Sequence, residues 1–230
     1  MTTETCYKLT TQDLTTHCGY QWTLGEWHKT SGEGELCGPG FLHAYSDPYL
    51  AAFMNPGHAD IKGPRFFRAE GRGKKLDDRG LKCGYSQMRI VEELPAIEPT
   101  LEQRVEFGIR CALAVCSDEK FVKWANKWLS GEDRTASAAD AAYAASAASA
   151  ASAASAYAAA ADYYAAAAAD YYAAAAAASA AADYAAARYS AYASAYASYY
   201  AAIDLIAIAH QVIGVNNESS TKEAGKIRGL

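Results

Sequence analysis

Residues 136–202 restrict the fold of this chain more than any other part of the sequence. These 67 residues comprise 41 Ala, 12 Tyr, 9 Ser, 4 Asp and 1 Arg, and no other residue type. No Gly or Pro occurs between Gly131 and Gly214, and Ala is the best helix former. We therefore predict a long α-helical segment over 132–215, as a coiled coil or a helical hairpin. Unbroken, this helix would reach roughly 120 Å.

The tyrosines of this segment follow a heptad pattern, which is typical of a helix that packs along one seam. Alanine contributes little apolar area, so burial of the Tyr and Ile edge favours self-association. We therefore predict a homo-oligomer. A monomeric spacer rod is the alternative, and the lack of Thr from 136 to 220 disfavours an ice-binding face. The predicted interface consists of Tyr143, Tyr157, Tyr164, Tyr171, Tyr189, Tyr192, Tyr196, Tyr199, Ile203 and Ile206.

The residues before this segment have the composition of a globular domain. All six Pro, six Phe, four Trp and six Cys precede residue 129. We predict a small α+β domain over 1–99, two amphipathic helices over 100–131 packed on it, and a disordered polar tail over 216–230. Hydrophobic patterning places strands at 6–10, 19–30, 41–46, 65–71 and 81–94.

Helix signals are clearest around three segments. Asp47 as N-cap and a following proline predict a helix over 48–54 that ends near the sequence Asn-Pro-Gly at 55–57. Thr100 and Gln103 form a capping box. Ser117 is predicted to cap the next helix, whose Trp124 and Trp128 we expect to pack against the sheet.

Charge and cysteine usage limit the possible partners and location. The net charge is −5 and neither half of the chain is basic, so a nucleic-acid partner is not expected. Asp residues interrupt the Ala-rich segment, and we predict no membrane-spanning helix and no membrane partner. The N-terminal residues do not resemble a signal peptide. The six Cys are therefore expected to be reduced thiols in a cytoplasm.

The densest group of chemically useful side chains lies at 37–49, where a strand runs into a helix. The free N–H groups at a helix N-terminus favour an anion. Arg side chains beside aromatic residues on the strand at 65–70 could hold a nucleotide or phosphate, or form the solvent face of an edge strand. The resulting candidates for ligand binding are His43, Tyr45, Asp47, Arg65, Arg68 and Glu70. Capping by Asp47 and core packing by His43 are the alternative explanations.

Cysteine and histidine residues allow two further hypotheses. Zinc could be bound by Cys37, His43, His58 and Cys83, although no CxxC or HxxxH spacing is present. A nucleophilic pair could combine either of these cysteines with either of these histidines. No Walker loop, GxGxxG, GxSxG or HExxH motif occurs. The sequence therefore assigns no catalytic residue and no cofactor.

Several short motifs resemble those of an uncharacterised domain carried by many bacteriophage and prophage proteins. They are Tyr7-Lys8, LCGPGFLHA at 36–44, Ser46-Asp47-Pro48 and LKC at 81–83. The resemblance covers roughly residues 5–130, and such domains are often followed by Ala-rich segments. It implies a phage or mobile-element origin. The strand containing His43 and Tyr45 is also remotely similar to ADP-ribosyltransferase folds, in which Glu92 or Glu93 would be the catalytic acid.

These observations support three hypotheses about function. The first is a non-enzymatic phage accessory protein in the host cytoplasm. It would bind a host protein or a small nucleotide-like ligand, could inhibit host defence, and would be oligomerised by the Ala/Tyr helix. The second is a nucleotide- or NAD-using transferase. The third is a structural, filament-forming protein. Architecture and resemblance favour the first.

Overall fold

The computed structural model describes residues 2–78, 80–114, 119–135 and 203–215. Within them, a β-rich N-terminal region is followed by helices. The strands are β1 (Glu4–Thr10), β2 (Thr15–Thr16), β3 (Tyr20–Gln21), β4 (His28–Lys29), β5 (Leu42–Ala44), β6 (Arg65–Asp77) and β7 (Cys83–Leu94). The helices are α1 (Pro48–His58), α2 (Leu101–Leu113), α3 (Glu119–Ser130) and α4 (Leu205–Ile213).

A long antiparallel hairpin of β6 and β7 organises the sheet. β1 pairs with β6, whereas β4 and β5 both pair with β7. Tyr7 of β1 and Tyr45, just after β5, exchange two backbone hydrogen bonds of 2.7 and 2.9 Å. These bonds connect β5 back to β1, so that β1, β6, β7 and β5 form a hydrogen-bonded ring. Two register shifts along the hairpin, next to Arg68 and Arg72, provide the local bending that such closure needs.

The two sides of this ring pack into separate cores. Inside it, Trp22 from the loop before β4 covers buried side chains that alternate along the strands: Cys6, Leu42, Ala44, Phe67, Ala69, Cys83, Tyr85, Met88 and Ile90. On the outer side, Leu9 and Phe66 pack against α1, α2 and α4. The predicted strands at 6–10, 41–46, 65–71 and 81–94 are confirmed, and two short strands lie within 19–30.

Helix α1 begins as predicted but ends later. The Asp47 carboxylate accepts a hydrogen bond of 2.8 Å from the Leu50 N–H, which caps the helix. The predicted end near residues 55–57 is wrong, because α1 continues through Pro56 to His58. Proline inside a helix removes one backbone donor, here the partner of the Ala52 carbonyl. A distant residue replaces that donor, as described below.

Helices α2 and α3 form a separate apolar layer. The capping box between Thr100 and Gln103 is confirmed, and Phe107 of α2 stacks on Phe53 of α1 with ring centroids 4.4 Å apart. Trp124 and Trp128 do not pack against the sheet, as expected from sequence, but against α2. The predicted cap Ser117 lies outside the described residues.

Helix α4 corrects the prediction of one uninterrupted helix up to residue 215. It begins after Asp204, whose side chain accepts from the Ala207 N–H at 2.9 Å, and it ends at Gly214 with φ +81°. Ile203 and Ile206 pack on the outer core of the same chain, so these two residues are not available for the predicted oligomer seam. The eight tyrosines assigned to that seam and the tail at 216–230 lie outside the described residues.

Candidate functional site

An open cleft of ≈ 430 Å³ separates the C-terminal half of α1 from the first turn of α2. The chain between α1 and β6 forms one rim, and the chain between β7 and α2 forms the other. Its walls are mainly apolar: Ala52, Pro56, Ile61, Pro64, Phe66, Ile97, Pro99 and Leu101. Asn55, Asp60, Lys62, Gly63, Glu98 and Arg104 complete the lining. The volume lies in the usual range of small-molecule sites.

Arg104 is positioned at the cleft by the proline in α1. Pro56 has no N–H to donate to the Ala52 carbonyl, and Arg104 Nη1 donates to that oxygen instead, at 3.2 Å. This bond explains how α1 passes through Pro56 without leaving a buried carbonyl unpaired. It also places a guanidinium group against the apolar walls.

The charge of Arg104 is partly desolvated at this position. Burial lowers the pKa of the guanidinium, and Glu98 opposes that shift electrostatically. Arginine nevertheless stays protonated in proteins, so Arg104 retains a delocalised positive charge. On the opposite rim, the Lys62 ammonium pairs with Asp60 at 3.1 Å. A guanidinium against apolar walls suits a carboxylate or phosphate attached to an apolar body.

The cleft rests on a rigid helix end. The buried Asn55 donates to the Ile61 carbonyl at 2.9 Å and accepts from the Ile61 N–H at 3.1 Å. The Asn55 carbonyl also accepts from the N–H groups of Ala59 and Asp60. These bonds hold the turn after α1 in place, and Asp60 adopts a positive φ of 51° there. The rim is therefore fixed by the protein itself.

The predicted strand-to-helix junction is a hydrogen-bonded structure outside this cleft. The Tyr45 hydroxyl donates to His58 Nδ1 at 2.7 Å, and Asp47 accepts from His210 Nε2 at 2.6 Å. Burial raises the pKa of Tyr45 and lowers that of His58 to about 4. Because both groups are thereby kept neutral, the tyrosine is the donor.

His43 lies apart from these two pairs. Its Nε2 donates to the Leu36 carbonyl. Burial lowers the pKa of His43, and Lys8 and Lys82 add to that effect, whereas the bond to Leu36 opposes it. His43, Tyr45 and Asp47 thus make three separate contacts in the structure.

The three candidates on β6 form ion pairs across the hairpin. Such cross-strand pairs stabilise a sheet. Glu93 pairs with Arg65, Glu92 with Arg68, and Arg89 with Glu70, at 2.6, 2.9 and 2.7 Å. The two candidate acids of a transferase, Glu92 and Glu93, are therefore held by arginines. The geometry matches the alternative explanation, a charged face of the sheet.

The cysteines and histidines do not assemble into the zinc site considered from sequence. Within the described ranges, no three His, Cys, Asp or Glu side chains form a group that could hold a metal ion. The Cys83 thiol donates to the Ala44 carbonyl at 3.5 Å, and burial raises its pKa to about 11. Cys37 is exposed, with Lys82 Nζ 3.0 Å from its sulfur.

The sequence did not indicate Arg104 or its cleft. The available signal was Pro56, since a helix that continues through proline needs another donor for the carbonyl four residues earlier. That donor lies 52 residues away in the chain, and only the folded structure identifies it.

Comparison with known proteins identifies one family. Residues 4–101 match the model of a domain of unknown function, DUF7666. The match covers the strands, α1 and most of the cleft, and it is consistent with an uncharacterised domain. No curated protein and no solved structure matched the chain. No helix in the described parts has the length and apolar character needed to cross a membrane.

Proposed function

We propose that the N-terminal domain is a non-catalytic binding module for a small anionic ligand, of the nucleotide-like class expected from sequence. The observation that carries this proposal is the half-buried Arg104 guanidinium in an apolar cleft. The phosphate or carboxylate of the ligand would contact Arg104, and its apolar part would cover the proline and isoleucine walls. Apolar burial would contribute affinity, and the charge would orient the ligand.

The composition of the cleft supports binding rather than turnover. None of the described lining residues is Cys, His, Ser, Thr or Tyr, the usual nucleophiles and neutral-pH bases. Its carboxylates, Asp60 and Glu98, lie near cations that favour their ionised form. The histidines considered as bases make hydrogen bonds elsewhere. These contacts favour the first of the three functional hypotheses.

Two substitutions of Arg104 separate its charge from its structural bond. Arg104→Gln keeps an N–H donor for the Ala52 carbonyl but loses the charge, whereas Arg104→Lys keeps the charge without the planar fork. Arg110→Gln is the matched control, because Arg110 lies on the same helix and pairs with Glu106 outside the cleft.

Isothermal titration calorimetry with mononucleotides, inorganic phosphate and short-chain carboxylates tests the proposal. We expect Arg104→Gln to weaken binding about tenfold or more, Arg104→Lys to weaken it less, and Arg110→Gln to have no effect. Circular dichroism checks that each variant is folded. Absence of binding to the wild-type protein, or equal affinity in folded Arg104→Gln, would contradict the proposal.

The proposal extends to origin and assembly. The resemblance to bacteriophage domains supports a phage-borne accessory protein that acts in the host cytoplasm, with a host protein as a further partner and inhibition of host defence as its outcome. The heptad pattern of tyrosines supports a homo-oligomer. Native mass spectrometry of the wild-type sample counts subunits and detects a retained partner, and a bare monomer would contradict this extension.

A further inference from the structure

Lys8 lies on the inner side of the strand ring. It follows Cys6 by two residues on β1, so both side chains are on the same face of the strand. Cys6 is fully buried in the inner core, and Lys8 is half-buried beside it. The Lys8 ammonium donates to the His43 carbonyl at 2.6 Å and lies 5.1 Å from the centre of the Trp22 ring.

No carboxylate balances the charge of Lys8 among the interactions that the described residues make with it. Its electrostatic neighbours are the thiols of Cys6 and Cys83, and burial lowers its pKa to about 8. His43, which contacts it through its carbonyl, also experiences Lys82 and His17 as positive neighbours. The amine therefore lies in a partly desolvated place with cations nearby, a setting that activates lysine as a nucleophile.

We propose that Lys8 is a reactive amine that forms an imine with small aldehydes or ketones at the opening between Trp22 and His43. Half-burial limits the carbonyl compound to a small one, and the Trp22 ring provides an apolar surface for its alkyl part. This site is distinct from the Arg104 cleft, and the inference does not depend on the function proposed for that cleft.

The chemistry needs no other reactant. The lone pair of neutral Lys8 Nζ attacks the carbonyl carbon, and the C=O π electrons move to oxygen. A proton passes from nitrogen to oxygen to give a carbinolamine. The C–O bond then breaks, water leaves, and a C=N double bond forms. The steps are reversible, and hydride from cyanoborohydride traps the product as a stable secondary amine.

Competitive labelling of the wild-type protein tests the proposal without a variant. The protein is incubated with propanal and sodium cyanoborohydride at about pH 8, and peptide mass spectrometry measures the rate at each amine. The reference lysines are Lys29, which is exposed, and Lys62, whose side chain is 68% exposed. We expect Lys8 to be labelled about tenfold faster, because exposed lysines are almost fully protonated at this pH. Peptide mapping separates Lys8 from the N-terminal amine, which also titrates near pH 8.

The pH dependence gives a second readout. The rate at Lys8 should level off above about pH 8, whereas the rates at Lys29 and Lys62 should continue to rise. A bulky aldehyde should lose the preference for Lys8, because access is limited. Labelling of Lys8 no faster than that of the exposed lysines overturns the proposal, and so does a rate at Lys8 that rises with pH in parallel with theirs.

Discussion

Gly38 and Gly40 belong to the same turn before β5 but have different surroundings. A methyl group on Gly40 would overlap the backbone of Glu33, whereas one on Gly38 would lie 3.1 Å from the Glu35 carbonyl oxygen. The Gly40 carbonyl also accepts from the Gly32 N–H at 2.9 Å and from the Thr30 hydroxyl at 2.7 Å. The close approach at Gly40 therefore joins two backbone segments that cover the inner core.

Alanine at these two positions should have different effects on stability. Gly40→Ala must displace backbone atoms, and we expect a loss of about 3 kcal/mol. Gly38→Ala should change stability by less than about 1 kcal/mol, because the contact is only tight and alanine lowers the entropy of the unfolded chain. Urea unfolding followed by tryptophan fluorescence measures both. Equal losses would show that the overlap at Gly40 relaxes at little cost.

The attachment of α4 depends on one buried pair at the scale of the element. His210 Nε2 donates to one Asp47 oxygen, and the other oxygen caps α1. The His210 ring also meets Tyr49 edge-on, with centroids 5.0 Å apart. Leu205, Ala209 and Val212 complete the contact. One carboxylate thus connects the start of α1 to a helix 163 residues away in the chain.

His210→Ala should loosen α4 without unfolding the domain. Loss of a buried hydrogen bond of this kind costs about 1–3 kcal/mol, so amide hydrogen exchange within α4 should become about tenfold faster or more. Asp47→Asn should have a similar effect on α4 and spare α1, because asparagine is also a good N-cap. Gln211→Ala is the control, since Gln211 is exposed. Unchanged exchange in α4 would show that apolar contacts alone hold the helix.

Local sequence signals predicted the elements better than their ends. The strands and the capping box at Thr100 depend on alternation and on contacts within one turn, and they are confirmed. The extension of α1 past Pro56 depends on Arg104, and the start of α4 depends on a break at Asp204 within a stretch free of Gly and Pro. Neither feature follows from propensity, because tertiary contacts decide both.

The candidate site was harder to predict for the same reason. The sequence drew attention to His43, Tyr45 and Asp47 because polar groups crowd a helix start, but their partners come from other parts of the chain. The arginines of β6 were predicted either as ligands or as a charged face, and only their pairing across the hairpin favours the second. Lys8 could have been noticed, since strand alternation places it beside Cys6.

The pH dependence of stability belongs to the molecule as a whole, and His58 is expected to dominate it in mild acid. Burial lowers the pKa of His58 from 6.5 to about 4 in the folded state. Between these values the unfolded state binds more protons, so the free energy of unfolding falls as the pH drops from about 6.5 to 4. The burial that lowers the pKa of His43 acts in the same direction.

His58→Gln should flatten this profile. Glutamine is neutral throughout and can accept the hydrogen bond from Tyr45, so the variant should lose less stability than the wild type between pH 6.5 and 4, by about 2–3 kcal/mol. A residual slope from His43 should remain. Urea unfolding at several pH values, followed by tryptophan fluorescence, measures the profile. His17→Gln is the control because His17 is solvent-exposed. If His58→Gln and the wild type lose stability in parallel, protonation of His58 does not limit the acid stability of the folded chain.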